Sequence, residues 1–284
     1  MLKNKTEKEK AYIFLIIGIT AMASASLIIR LTSAPPIIIA SYRLLIASLI
    51  LLLLNRKTLK LPKNLPILLI AGLSLGMHFY SWISSLFLTT VANAVVLVNT
   101  SPIFISLLSY IFEKKKPTRS FFLSLFFILL GIVLITNNKI SLKFGKGELL
   151  AILGAITFAI YLYTGRYLSP NLSVSSYITL VYFTGGIILL VFAILTKTPL
   201  IVYPLKIYFN VFLLALIPQL IGHTSANYAI RILSPNATSI ILIGETVIAT
   251  LLALVFLKEK ITLLQTLGML LIIIGIIYSS LKEK

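Results

Sequence analysis

The chain has 284 residues, 59% of them hydrophobic and only 11% charged, with a formal net charge of +18 and a mean hydropathy of +1.06. Soluble domains run about 45–50% apolar and about 25% charged, so composition argues against a water-soluble enzyme, a disordered tail protein and a nucleic-acid-binding domain; the Lys and Arg sit between apolar runs, as membrane-flanking charges do. The apolar runs are continuous rather than alternating, which argues against a β-barrel, and a chain without Cys or Asp has no disulfide framework, thiol nucleophile or thiolate metal site.

Apolar runs bounded by charge, Pro or Gly predict ten membrane spans, at about 12–29, 36–54, 66–87, 91–112, 121–136, 149–165, 174–195, 209–230, 239–257 and 263–281. Each is close to the roughly 20 residues that cross a bilayer as a helix. The expected fold class is an all-α membrane protein. In the first span the basic stretch Lys3 to Lys10 and the small residues Ala23-Ser24-Ala25 imitate a secretory signal with its cleavage site. They are read instead as a close helix contact, because the segment recurs as the start of a second repeat. Most of the Lys and Arg fall on the side of both termini, among them Lys60, Lys63, Lys114, Lys115 and Lys116. The opposite side holds fewer, such as Arg30, Lys139, Lys143 and Lys197. This asymmetry predicts cytoplasmic N- and C-termini.

The two halves match. Gly131 and Gly275 are 144 residues apart, as are Thr118 and Thr262, and Lys116 and Lys260. Nearer the front the offset is 136, pairing Gly18 with Gly154 and Arg30 with Arg166. The expected division is residues 1–138 and 147–284, each a five-helix repeat. An odd number of spans per copy makes the second enter the membrane from the opposite face, the inverted-repeat arrangement in which a substrate site lies near the midplane between the halves.

These ten spans carry Arg43 in the second, Asn-Thr-Ser-Pro at 99–102 in the fourth, Gly244-Glu245 in the ninth and Phe-Leu-Lys-Glu-Lys-Ile-Thr at 256–262 before the tenth. In this the chain resembles the EamA-type transporters of the drug/metabolite transporter superfamily over essentially its whole length. The resemblance implies a multi-pass plasma-membrane carrier of small metabolites, often an exporter of amino acids or related compounds, working by alternating access. Two departures stand out. Thr246 occupies the place after Glu245 where the family often has Pro, which puts a helix break there in question, and Glu113-Lys-Lys-Lys-Pro-Thr reads as longer than its counterpart.

An ionisable side chain inside a membrane span is a functional candidate by default. Glu245 reads as the one carboxylate within a span, and desolvation favours its neutral form; it is a candidate for proton coupling, with a structural hydrogen bond or ion pair as the alternative. Arg43 is a candidate either for a structural ion pair or for a substrate carboxylate. In the eighth span Gln219, His223 and Asn227 stand four residues apart on one helical stripe. His78 and Trp82 repeat that spacing in the third, Asn93 and Thr100 lie in the fourth and Tyr161 in the sixth. Together they outline a polar, aromatic-trimmed substrate cavity, the alternative being interhelical hydrogen bonding in a packed bundle. Gly72-Leu-Ser74-Leu-Gly76 imitates a nucleophile elbow, but lies in an apolar helix without the strained strand-to-helix turn that motif needs. No catalytic constellation, metal set or cofactor motif is present, so a carrier stands ahead of an intramembrane enzyme and of a channel or scaffold subunit. The expected partners are a small-molecule substrate and the lipid bilayer, not nucleic acid, with monomer and homodimer both open.

Overall fold

The computed structural model describes residues 2–136, 144–168, 172–258 and 260–282. Lys139, Lys143 and Glu259 of the sequence reading lie outside them. The described residues form helices and no strand. In chain order they are α1 (Leu2–Met22), α2 (Ala25–Arg30), α3 (Pro36–Asn55), α4 (Leu65–Leu88), α5 (Val91–Val98), α6 (Ser101–Glu113) and α7 (Arg119–Ile135). The second half runs α8 (Lys146–Leu168), α9 (Val174–Leu195), α10 (Leu205–Leu214), a π-helical stretch (Ala215–His223), α11 (Thr224–Ala229), α12 (Pro235–Leu242), α13 (Glu245–Leu257) and α14 (Leu263–Lys282). Among the described residues nine continuous or broken helices are long and apolar enough to cross a membrane, and the shorter apolar α7 supplies the remaining span. Within hydrocarbon every backbone group must be satisfied inside the chain, which helices do. Large exposed side chains such as Ile16, Leu53, Phe126, Leu195 and Ile274 give the bundle an exterior suited to lipid.

Local chemistry fixes the helix ends. Thr90, Thr118 and Ser234 each accept a hydrogen bond from the backbone N–H three residues on, at 3.1 Å, the N-cap geometry that satisfies an orphan donor. Thr90 and Ser234 are 144 residues apart. So are the breaks between α5 and α6 and between α12 and α13, and the two left-handed C-caps, Lys114 (φ 55°) and Lys258 (φ 54°). The halves therefore share one register from residue 90 to residue 118. This corrects the reading of the 113–118 segment as longer than its counterpart: Lys114 to Thr118 matches Lys258 to Thr262 without insertion. It also settles the doubt over Thr246. The ninth span breaks at Gly244 with no proline there, while the fourth breaks beside Pro102. The π-helical stretch has a plain cause in Pro218, which lacks an N–H and obstructs ordinary helical bonding.

Packing obeys the same symmetry. A Cβ on Gly131 would lie 2.5 Å from the Gly268 carbonyl oxygen and one on Gly268 would lie 2.5 Å from that of Gly131, while Gly275 stands against the Ser124 carbonyl. Under the 144-residue offset the Gly131–Gly268 contact becomes the Gly275–Ser124 contact. Small residues thus bring α7 and α14 to backbone distance. In the same way Gly18 faces the Gly222 carbonyl and Gly154 faces that of His78. The imitation nucleophile elbow is likewise a packing device, because Gly72 and Gly76 admit the backbone of Gly185 in α9. Ala23 and Ala25 are buried within the bundle.

Candidate functional site

A cavity of about 600 Å³ lies between the halves. Its centre is lined by Arg43, His78, Phe79 and Trp82 from the first half and by Phe158, His223, Glu245 and Thr246 from the second. Its rim is formed by Arg30, Thr90, Thr136 and Lys260. Those four sit after the first, third, fifth and ninth spans, so the mouth opens on the face opposite the termini. Among the described residues, the ends of the second, fourth, sixth and eighth spans contribute no lining residue, so as these residues bound it the cavity is closed toward the termini.

Arg43 projects from the middle of α3 and is fully buried. Its Nε donates to Gln219 Oε1 at 3.1 Å and its guanidinium carbon lies 3.9 Å from the centre of the Phe79 ring. Both terminal nitrogens, Nη1 and Nη2, have no partner. Phe79 and Gln219 thus fix the plane of the group and leave its fork free. Glu245 opens α13 at the break of the ninth span and is half-buried because it faces the cavity. The two charges interact electrostatically, yet they form no ion pair within 4.0 Å. Arg43 and Glu245 face the same space without meeting.

Aromatic rings make the wall beside the arginine. His78 and Trp82 stack with an interplanar angle of 2°. His78 also lies 4.5 Å from Phe158, and Phe79 meets His223 edge-on at 5.0 Å. His78 Nδ1 is 2.9 Å from the Gly154 carbonyl; a carbonyl only accepts, so that nitrogen carries the proton. Helix breaks converge on the same region. Ser101 and Glu245, each the first residue of a half-helix, both line the cavity, and Asn99 Nδ2 donates to Thr246 Oγ1 across the two repeats at 3.4 Å. Discontinuous helices in corresponding positions present backbone dipoles and free polar groups where a solute would lie.

Of the candidates read from sequence, Arg43, His78, Trp82, His223 and Glu245 reach the cavity. Gln219 stands behind Arg43 and orients it. Tyr161 and Asn227 bond to each other, and Asn227 also donates to the His223 carbonyl at 2.6 Å. Thr100 donates to the Leu97 carbonyl at the helix break. Asn93 turns away and donates at 2.8 Å to Glu148, which also accepts from Thr89 and from the Gly145 N–H. Glu148 corrects the reading of Glu245 as the one carboxylate within a span: α8 begins at Lys146, so Glu148 lies in its first turn and is buried. The sequence reading left out Phe79 and Phe158, whose rings resemble any lipid-facing Phe, and also Ser101 and Thr246.

Two inverted five-helix bundles around one midplane cavity define a transporter architecture. The chain belongs to the EamA-like transporter family, whose model matches residues 9–137 and 145–281, and it is a multi-pass membrane protein. It is 27% identical over 275 residues to a Bacillus subtilis (strain 168) protein named "Uncharacterized transporter YdfC", covering 94% of this chain and 89% of that one. A second from the same organism, "Uncharacterized transporter YyaM", is 23% identical over 199 residues, covering 68% and 65%. A protein of known crystal structure superposes with a TM-score of 0.80 over 98% of this chain and 99% of its own, at 17% identity. That likeness shows the fold alone.

Proposed function

We propose that the protein is a secondary carrier that exports small metabolites, amino acids and related compounds first among them, across the plasma membrane by alternating access. One observation carries this reading: as bounded by the described residues, the cavity between the inverted halves opens on one face only. A channel needs a continuous path, which a cavity open on one face does not provide. The basic-residue asymmetry supports cytoplasmic termini, and on that reading the state described opens to the outside.

Counterflow in proteoliposomes tests the mechanism. Labelled amino acid should accumulate transiently against excess unlabelled internal substrate and saturate with concentration, whereas linear flux without counterflow refutes a carrier. Orientation is tested in this Cys-free chain by single Cys residues at Lys60, Lys116 and Lys197. The first two should be labelled from the cytoplasmic side and the third from outside; the reverse pattern refutes the assigned direction.

A further inference from the structure

We infer that the free fork of Arg43 takes the carboxylate end of the transported molecule and that the Phe79–Trp82–Phe158 wall takes a flat apolar body, making the ligand class a carboxylate carrying an aromatic or similarly planar group. The inference rests on the carrier reading for its setting, and on an inventory of unpaired groups for its content. Arg43 Nη1 and Nη2 and Trp82 Nε1 are buried donors with no protein partner, and both residues line the cavity. A buried donor left unpaired loses its hydration with nothing in exchange, and a guanidinium loses more, so the site is incomplete without an acceptor.

Charge narrows the acceptor. Among the described residues the cavity is lined by the cations Arg43, Arg30 and Lys260 and by one carboxylate, Glu245. Glu245 does not reach Arg43, so the surplus is positive and an anion is favoured. Geometry narrows it further. The Nε of Arg43 is already held by Gln219 and its face by Phe79, leaving the two terminal nitrogens, which match the paired oxygens of a carboxylate. In the adjoining wall the partly exposed Trp82 ring, backed by the buried Phe79 and Phe158, offers apolar area to a flat group. The repeat adds a kinetic element: Arg30 lines the outer rim, and Arg166, its counterpart at an offset of 136 residues, stands at the opposite face. An opening on either side would thus be flanked by an arginine that attracts anions.

Trp82 is the only tryptophan in the chain, so its fluorescence reports on the cavity. Purified wild-type protein would be titrated with 3-phenylpropanoate, 2-phenylethylamine and acetate. A saturable change of Trp82 emission with 3-phenylpropanoate is expected, at least tenfold weaker with acetate, which lacks the ring, and with 2-phenylethylamine, which lacks the carboxylate. Arg43→Lys, which keeps the charge but loses the fork, should weaken 3-phenylpropanoate binding about tenfold, and Arg43→Ala further. Equal binding of the amine and the carboxylate overturns the inference, as does unchanged affinity in a folded Arg43→Ala protein. Should the Arg43 variants fail to fold, the wild-type ligand series alone decides. Carboxylate binding without counterflow would refute the carrier reading and leave the inference standing; counterflow of solutes without carboxylate binding would do the reverse.

Discussion

At the scale of single residues, the cost of charge in hydrocarbon made the site partly legible. Arg43 and Glu245 stand out in apolar runs, and both reach the cavity. Polar stripes were a weaker signal, since Gln219, Tyr161 and Asn227 share the pattern of His78 and His223 yet do not line the cavity: Gln219 holds Arg43 through its amide oxygen, and Tyr161 and Asn227 bond to each other. Spacing places residues on one face and does not say what that face meets. The aromatic wall was half visible, because Trp82 marks it while Phe79 and Phe158 look like ordinary membrane-facing rings. Glu245 has no hydrogen-bond or ion-pair partner among the described residues, which suits a carboxyl that takes up and releases a proton during turnover. If it does, an imposed pH gradient should drive flux in proteoliposomes, and Glu245→Gln should abolish that drive while counterflow persists. Gradient dependence that survives Glu245→Gln would make the residue structural.

At the scale of elements, breaks and contacts were legible as composition but not as geometry. Gly131 and Gly275 reveal the repeat in sequence, yet their partners, Gly268 and the Ser124 carbonyl, follow only from the antiparallel crossing of α7 and α14. Gly131→Val would drive a branched side chain into the Gly268 carbonyl and the Ile272 side chain, and overpacking of this kind costs about 1–3 kcal/mol. A lower melting temperature of the purified protein is expected, while Gly145→Ala, where the nearest atom to an added Cβ is the Glu148 carboxylate at 3.5 Å, should change little. Equal effects would show that the crossing tolerates separation. Glu148 was hidden because it lies at a helix edge, where an acid reads as solvated. There it ties α8 to the α4–α5 corner through Thr89 and Asn93, and no carboxylate occupies the matching position in the other half, where Tyr12 stands at an offset of 136. Glu148→Ala strands buried donors and should cost about 1–3 kcal/mol, read as a fall in melting temperature. Counterflow rates should then track the fraction of folded protein.

At the scale of the whole molecule, the symmetry is followed in register and violated in shape, and under the alternating access proposed above the violation indicates how the cavity would change sides. α5 and α6 pack closely along α8, whereas their counterparts α12 and α13 only graze α1. On the closed face Phe112 meets Tyr163, with ring centres 5.9 Å apart. At the offsets of 144 and 136 residues these positions correspond to Phe256 and Leu27, on the open face. If the two halves exchange conformations, α13 closes on α1 and α2 while α6 leaves α8, and Leu27 then approaches Phe256. The Glu148 cluster would hold α5 in place while α6 swings about the break at Asn99 and Thr100. Cysteine pairs in this Cys-free chain separate the two states. Phe112→Cys with Tyr163→Cys should cross-link in the state described, leaving a third cysteine at Thr250, in the cavity lining, reactive from the open face. Leu27→Cys with Phe256→Cys should cross-link only as the protein visits the opposite state, and that bond should shield position 250 and stop counterflow. Reduction should restore both. Failure of the 27–256 pair to form during active counterflow would show that access alternates by some movement other than an exchange between the repeats.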